Sequence, residues 1–451
     1  MKVALLYPLP GHARLAGVVE RMPTLSLYLL AALLRQKGHE VTLRDLPGAC
    51  DGGERLAGHI RGADAVGVSA NSFNWATALT AVRDIRSGFP ELPIILGGIH
   101  PTYFDQHCLE VSAASFVVRG EGETSLPGLL DALSDAREPS DVPGLTYARN
   151  GRIARTPGPA LLGEEELDRL PPPAYDLVPA QCYRAVPVQT SRGCVYECAF
   201  CSIPHRRGWR ALGAGRCLEL LQHALSYSDR FVSPGAVYFL DDCFTTNGLR
   251  ATHILRELDR RGLNVNLGLE ARANHLTEPV VQAIARLPCW LIQIGVECGY
   301  SEGLKRVGKG ITLTEVESAA ELLKDYGLVE HAVFSFIVGL PWETIEDCTA
   351  TLSYALHLAL RYGAPLSFSW YEPFPGSRIW SARADYGVSA GPEVFDGPGD
   401  WRTDPDLFKA FRPRLTWDDC RRIEDLVANL ARVVPHHLAL FQTRVPRGER
   451  P

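Results

Sequence analysis

Short buried strands alternate with amphipathic helices along most of the chain, and this alternation restricts the fold more than any other feature. In the first 135 residues a helix is predicted at 24–36, where apolar residues recur on one face and Gly38 follows the last turn. Strands are predicted at 3–7, 41–43, 65–69, 93–96 and 116–119. The α/β pattern therefore predicts an open, doubly wound parallel sheet over 1–135, with a ligand crevice at the carboxyl ends of its strands.

The carboxyl ends of these strands are rich in glycine and polar residues, which suits a ligand that lies against the backbone. The candidate binding residues are Asn71, Gly97, Gly98, Gly120 and Gly122. A second interpretation stays open, because glycines also turn the chain between strand and helix in any doubly wound sheet.

A second alternation follows a hairpin and proline-rich connector, which we place at 136–182 with its turn at Asn150-Gly151. Thr312 and Glu315 form a predicted capping box for one of the helices beyond it. A partial (β/α)6 barrel is predicted over 183–385, with strands near 186–189, 236–240, 265–269, 291–296, 332–338 and 366–370. Residues 386–451 are predicted to form a small, mainly helical carboxyl-terminal region that includes an amphipathic stretch at 415–442.

Composition limits the compartment and the partners. The 451 residues are 46% hydrophobic and carry a net charge of −6, which gives no broad basic surface for a nucleic acid. No apolar run approaches the roughly 20 residues of a membrane span, and the start does not resemble a signal peptide, so we predict a cytoplasmic protein. Because that compartment keeps thiols reduced, the 12 cysteines indicate metal or redox chemistry.

Three cysteines, Cys194, Cys198 and Cys201, fall within one short segment directly after the first predicted barrel strand. A loop with this spacing can hold three corners of an iron–sulfur cluster and leave the fourth iron open for a substrate or cofactor. Buried structural thiols and a zinc site are the alternatives. Zinc needs a fourth ligand, and His205 is poorly placed for that role because it directly follows Pro204.

The Cys-x3-Cys-x2-Cys spacing, with the aromatic Phe200 before the last cysteine, resembles the signature of the radical S-adenosylmethionine (SAM) superfamily. The resemblance implies an enzyme whose [4Fe-4S] cluster binds SAM and cleaves it to a 5′-deoxyadenosyl radical. It also implies an external one-electron donor such as flavodoxin, because no second cluster motif is present. Segments similar to those around SAM in the family imply cofactor-binding roles for Asp241, Glu270, Arg272, Glu297, Ser335, Ile337 and Gly339. Ser335 departs from the first glycine of the family's Gly-x-Ile-x-Gly pattern.

The first domain resembles the cobalamin-binding domain of one radical SAM subfamily, which includes many methylases. The Asp-x-His-x-x-Gly loop of classical cobalamin carriers is absent, and we predict that neither His12 nor His100 is a cobalt ligand. Two functions stay open. One is cobalamin-dependent C-methylation of a small specialised metabolite, and the other is a lyase-type dehydration or rearrangement of an amino-sugar-like diol without cobalamin.

Acidic residues near the predicted ends of the barrel strands suggest a cationic small-molecule substrate, although salt bridges or contacts with SAM would also explain them. They are Asp241, Asp242, Glu270, Glu297 and Glu372. Cys243 and Cys298 are either hydrogen-atom donors or ordinary buried thiols. Sulfur insertion into transfer RNA is disfavoured, because the first domain holds only Cys50 and Cys108, too few for a second cluster.

Overall fold

A computed structural model describes residues 1–8, 22–45, 56–397 and 404–434, together with the short strand Leu438–Ala439. The chain divides into two units. The first comprises Met1–Val186, Ser226–Pro234 and Pro392–Pro398, and the second comprises Pro187–Leu225, Gly235–Gly391 and Gly399–Pro451. The helices of the described part include none that combines the length and apolarity needed to cross a membrane.

The first unit is built on one sheet with strand order β2-β1-β3-β4-β5-β6-β7. Its strands are β1 (Lys2–Leu6), β2 (Glu40–Arg44), β3 (Ala65–Ser69), β4 (Ile94–Gly97), β5 (Phe116–Val118), β6 (Leu145–Arg149) and β7 (Arg152–Arg155). Its helices are α1 (Leu25–Gln36), α2 (Leu56–Ile60), α3 (Trp75–Gly88), α4 (Ile99–Tyr103), α5 (Asp105–Ser112), α6 (Gly122–Ser134) and α7 (Glu164–Asp168). Strands β1 to β5 pair in parallel, so the predicted parallel sheet is confirmed, with bounds shifted by a residue or so.

Both faces of this sheet are buried, as a doubly wound architecture requires. Along β1, Val3 and Leu5 pack into one hydrophobic cluster with α1 and α6. The alternating residues Ala4 and Leu6 pack into a second cluster with α3. Because both faces of the strand are buried, its residues form a continuous apolar run in the sequence.

The predicted hairpin turn forms at Asn150 and Gly151, which both have the positive φ typical of a type I′ turn. The structure differs from the expected connector, because the hairpin strands β6 and β7 extend the first sheet in antiparallel pairing. Strand β5 would otherwise present a row of unpaired backbone groups at the sheet edge, and β6 satisfies them.

The second unit contains the predicted run of parallel strands, in the order β8-β11-β12-β13-β14-β15-β16. The strands are β8 (Val186–Val188), β9 (Ser191–Arg192), β10 (Arg210–Ala211), β11 (Ala236–Phe239), β12 (Asn266–Ala271), β13 (Cys289–Glu297), β14 (Ala332–Val338), β15 (Leu366–Trp370) and β16 (Leu438–Ala439). The helices are α8 (Ala214–Leu225), α9 (Gly248–Arg260), α10 (Glu278–Ile284), α11 (Ser301–Val307), α12 (Leu313–Asp325), α13 (Ile345–Tyr362), α14 (Arg378–Ser381), α15 (Pro405–Phe411) and α16 (Trp417–Val433). The sheet has two ends, β8 and β16, which is consistent with a partial barrel.

Two details of the second unit test the predicted helices. The capping box at Thr312 and Glu315 is confirmed at the start of α12. The predicted helical stretch at 415–442 is wrong beyond α16, which ends at Val433, because Leu438–Ala439 is a strand paired with β15. Val434 precedes Pro435 in the sequence, and a residue before proline is disfavoured in the helical conformation. Residues 435–437 and 440–442 lie outside the described residues.

Candidate active site

A loop after β8 carries the three clustered cysteines, and a two-stranded antiparallel ribbon of β9 and β10 closes its base. Inside the ribbon, Cys194 forms a bridge with Arg206, and its carbonyl accepts a hydrogen bond of 2.7 Å from the backbone N–H of Arg207. The middle of the loop is held from two sides. The Ala199 N–H donates to the carbonyl of Val307 in α11, and the Ala199 carbonyl accepts from Ile379 in α14. These backbone contacts preorganise the middle of the loop.

Gly193 makes the turn that aims Cys194 into the loop. Its φ is +81°, and an added Cβ would lie 2.6 Å from the carbonyl oxygen of Gly208 and 2.7 Å from that of His205. Only glycine fits this position without displacing residues 205–208, the returning limb of the loop that leads to β10.

Two aspartates after β11 anchor the same loop. The buried Asp241 carboxylate accepts hydrogen bonds of 2.6 to 3.1 Å from the backbone N–H and hydroxyl groups of Thr190 and Ser191. Burial raises the pKa of Asp241, and these donors oppose that shift. Asp242 accepts a bond of 2.8 Å from the N–H of Gly193. Both carboxylates thus position the cysteine loop in this structure, and a contact of Asp241 with a cofactor stays a prediction.

Cys194, Cys198 and Cys201 are free thiols, and Phe200 beside them is half-buried. Burial, with smaller contributions from the neighbouring Cys198 and Cys194, raises the pKa of Cys201 to about 12, so the thiols lie near one another. Within the described residues, no three His, Cys, Asp or Glu side chains group closely enough to hold a single metal ion. A cubane cluster spreads its thiolates over separate iron corners, so three soft, free thiols on one rigid loop fit such a cluster.

Strands β11 to β13 present an aromatic and acidic face beside this loop. The Tyr238 hydroxyl donates to Glu270 Oε1 over 2.7 Å, and the Tyr238 and Trp290 rings lie 5.9 Å apart. Gly268 lies between them, because an added Cβ would come within 2.7 Å of either ring. Burial raises the pKa of Glu270 to about 7, although the Tyr238 hydrogen bond opposes the shift. Glu270 can therefore exchange a proton near neutral pH.

A buried ion pair sits where β13 ends. Lys309 Nζ donates to Glu297 Oε1 over 2.7 Å, and both side chains are almost fully buried. Burial disfavours the charge of Lys309, but Glu297 overrides that effect and raises the lysine pKa. Gly295 leaves the space for this pair, since an added Cβ would meet Glu297 Oε1 at 2.3 Å. Glu297 has a φ of +76°, an uncommon conformation for a residue other than glycine, so its surroundings hold it in place.

Arg272 joins this ion pair to the cysteine loop. Its guanidinium donates to the carbonyl of Lys309 and lies 3.5 Å from the centre of the Tyr196 ring. The Tyr196 hydroxyl is 2.6 Å from His275 Nε2, and His275 Nδ1 is 3.7 Å from the Cys243 thiol. Partial burial, Arg272 and Lys309 lower the pKa of His275 to about 4, so the imidazole is neutral at physiological pH.

Sequence reasoning missed Tyr196, His275 and Lys309 as site residues. Lys309 stands between two glycines with positive φ, Gly308 and Gly310, and this Gly-Lys-Gly pattern was the one local signal of a special loop. The other two residues carry no pattern of their own.

Strand β14 places Ser335 and Ile337, two of the predicted cofactor-binding residues, on the same face. Ser335 and Ile337 are half-buried and alternate with the fully buried Phe334, Phe336 and Val338. The Ser335 hydroxyl is buried and has no hydrogen-bond partner among the described residues. Gly339 follows the strand and packs on the buried Arg412. These positions leave a polar atom available to a ligand, and their cofactor roles stay predictions.

The remaining candidates of the second unit are engaged or buried. Burial lowers the pKa of Arg412 to about 10, and Glu372 lies close enough to oppose that shift. Cys243 and Cys298 are both buried.

In the first unit the strand order reverses direction between β1 and β3, which places the expected crevice at their carboxyl ends. Asn71 lies there, but its side chain is occupied: Oδ1 accepts from the backbone N–H groups of Phe73 and Asn74, and Nδ2 donates to Tyr7. It shapes the loop after β3 in this structure, and a direct contact with a ligand stays a prediction.

The crevice glycines differ in what their positions require. Gly98 has a φ of +97°, and an added Cβ would lie 2.4 Å from the carbonyl oxygen of Ala70, so the turn itself demands glycine. Gly120 also has positive φ, whereas Gly97 and Gly122 would meet only ordinary contacts. The turn-forming interpretation thus accounts for Gly98 and Gly120 and leaves Gly97 and Gly122 without a structural requirement.

His100 is fully buried and stacks on Trp75, with ring centres 4.8 Å apart. Burial lowers its pKa to about 3, so it is a neutral packing residue. His12 lies outside the described residues.

Comparison with known families gives a match for each unit. Residues 11–130 match a B12 binding domain, and residues 188–355 match the radical SAM superfamily. The uncharacterized methyltransferase PH0819 of Pyrococcus horikoshii is 33% identical over 391 residues, which cover 84% of this chain and 82% of that protein. The anaerobic magnesium-protoporphyrin IX monomethyl ester cyclase of Rubrivivax gelatinosus is 28% identical over 324 residues, which cover 68% of this chain and 55% of that protein.

A solved structure has the same fold. The radical SAM methyltransferase TsrM from Kitasatospora setae, with cobalamin and a [4Fe-4S] cluster bound, superposes with a TM-score of 0.66 at 20% sequence identity. The match covers 87% of this chain and 79% of that one. It confirms the predicted α/β architecture.

Proposed function

Because the chain belongs to the radical SAM superfamily and carries a B12-binding domain, we propose that it is a cobalamin-dependent enzyme that methylates a carbon atom of a small molecule. The cofactors are those of the family: SAM, a [4Fe-4S] cluster and cobalamin. The observation that carries the proposal is the presence of both domain matches in a chain one third identical to a methyltransferase over most of its length.

When bound, the cluster, SAM and cobalamin together supply the radical that removes hydrogen from carbon and the methyl group that replaces it. The residues of this chain would hold those cofactors in position. Cys194, Cys198 and Cys201 would hold the cluster, and Asp241 and Asp242 fix the loop that presents them.

Around that loop, the remaining residues keep charge balanced in a buried environment. The Glu297–Lys309 pair is internally neutral, and Arg272 stacks on Tyr196 of the loop. A radical reaction benefits from such surroundings, because a dry, rigid wall offers few competing partners.

Four of the five acidic residues named at the strand ends are engaged within the protein. Asp241 and Asp242 hold the cysteine loop, Glu297 pairs with Lys309, and Glu270 accepts from Tyr238. This engagement removes the main reason for expecting a cationic substrate. It also removes the clustered acids that favoured radical dehydration of a diol, so we propose methylation of a small molecule, with an external one-electron donor.

The products left from SAM distinguish methylation from the other radical reactions. Methyl transfer leaves S-adenosylhomocysteine from one SAM, whereas hydrogen abstraction leaves 5′-deoxyadenosine and methionine from another. Anaerobic, reconstituted protein should be supplied with cobalamin, a reductant, SAM labelled in its methyl group and a small-molecule extract. Methylation predicts both nucleoside products in equal amounts and a metabolite that carries the label.

The matched controls are two cysteine variants. Cys198→Ala should abolish both products, whereas Cys420→Ala removes a buried thiol of α16 and should keep them. If 5′-deoxyadenosine forms together with a substrate-derived product that carries no label, and no S-adenosylhomocysteine appears, the reaction is a dehydration or rearrangement and the methylase proposal fails.

A further inference from the structure

A groove of about 630 Å³ opens on the second unit against the cysteine loop. Three elements form it: the cysteine loop and its returning limb, the first turns of α9, and the start of α10. Its lining includes Val195, Trp209, Leu249, Arg256, Pro279 and Val280. Val195 stands between the predicted cluster ligands Cys194 and Cys198, so any occupant of the groove would contact the loop that holds the cluster.

The groove exposes two large aliphatic side chains in one place. Leu249 is 88% exposed and Val195 is 46% exposed, and because both line the same groove they form one apolar patch rather than scattered single residues. A pocket for a small molecule would bury such groups, whereas a protein interface combines exposed apolar residues with a charged rim.

Arginine outnumbers glutamate in the cysteine loop beside the groove, although the chain as a whole carries −6. Arg256 is exposed in the groove, and the segment from Arg192 to Arg210 holds four arginines against the single glutamate Glu197. The Arg207 side chain is 72% exposed and pairs with Glu197. An excess of arginine around exposed aliphatic groups complements a partner with an acidic surface.

We propose that this groove is the docking site of an acidic one-electron carrier protein that reduces the cluster. The inference rests on the proposed function, which requires an external electron donor. The position suits electron delivery, since Val195 and Tyr196 belong to the loop between the cluster ligands. Transient redox partners use small interfaces, so one groove with an arginine at its edge is enough for such a contact.

Flavodoxin, an acidic carrier, is the probe for a direct binding test with the full-length protein. Its Kd is measured by titration at low ionic strength for the wild type and for two variants, Leu249→Glu and Arg256→Glu. We expect each variant to weaken binding about tenfold, because each places a negative charge against an acidic partner. Leu249 lies in the first turn of α9, where a glutamate is compatible with the helix dipole, so the variant should fold.

Leu360→Glu is the matched control, since Leu360 is 65% exposed on α13, away from the groove lining, and its variant should bind as the wild type does. Salt should weaken wild-type binding and affect Arg256→Glu less. An unchanged Kd in both groove variants would overturn the docking site.

A second readout separates this inference from the proposed function. With dithionite, which needs no docking site, both groove variants should cleave SAM at the wild-type rate, and with reduced flavodoxin they should need about ten times more donor for half the maximal rate. If dithionite drives no SAM cleavage in the wild type while the Kd values still differ, the docking site stands and the proposed function fails.

Discussion

Gly193→Ala is the substitution that tests the cysteine loop most sharply. An alanine at φ +81° costs about 1 to 2 kcal/mol, because the Cβ of an L-residue crowds the backbone in this conformation. The added Cβ would also approach two carbonyl oxygens within 2.7 Å, so the returning limb must move. Overpacking of this kind costs about 1 to 3 kcal/mol more, and the loss in unfolding free energy should reach about 2 to 5 kcal/mol.

Gly262→Ala is the matched control. Gly262 has a φ of +60° in the same unit, but an added Cβ there has no neighbour within 4 Å. It should therefore show only the conformational cost of about 1 to 2 kcal/mol. Denaturant unfolding of the apo protein measures both variants, and iron analysis after reconstitution should show a loss for Gly193→Ala alone. Equal unfolding free energies together with full iron content in Gly193→Ala would refute the reasoning.

Three further substitutions test an anchor of the cysteine loop, the buried ion pair and a buried carboxylate. Asp241→Asn should cost about 2 to 4 kcal/mol and lower the iron content, because an amide cannot accept all the hydrogen bonds of the carboxylate; thermal unfolding and metal analysis check this. Glu297→Gln leaves the buried Lys309 without its partner and should cost about 3 to 5 kcal/mol in denaturant unfolding, so a neutral result would contradict the ion pair. Glu343 lies shortly after β14, is fully buried and accepts hydrogen bonds from the Leu340 N–H and the Tyr300 hydroxyl. Burial raises the pKa of Glu343 from 4.5 to about 7, so its stabilising contribution is present below pH 4.5 and is lost as the pH rises through 7. Glu343→Gln should remove this decline of about 3 kcal/mol, and identical pH profiles of unfolding would exclude it.

The strands and the cysteine loop could be predicted from sequence for physical reasons. A parallel strand buried on both faces is a continuous apolar run, as in Ala65–Ser69, and the structure has that strand at the predicted residues. The cysteines are close in sequence, so their spacing alone defines a loop. Local signals of this kind do not depend on the rest of the fold.

Contacts between segments that are distant in the chain leave no local pattern in the sequence, so they could not be predicted. The Asp241 side chain was predicted to bind a cofactor, but its bonds to Thr190 and Ser191 join residues about fifty positions apart. The contact of Tyr196 with His275 spans 79 positions. Strand β16 has only two residues, too few for a periodic pattern, and its pairing with β15 depends on the completed sheet.

Metal content of anaerobically reconstituted protein offered hydroxocobalamin tests the central claim most directly. The account predicts about four irons and one cobalt per chain in the wild type. Cys198→Ala should lose the iron and keep the cobalt, because the cysteine loop belongs to the second unit and the B12-binding match to the first. Full iron content in Cys198→Ala, or no retained cobalt in the wild type, would contradict it.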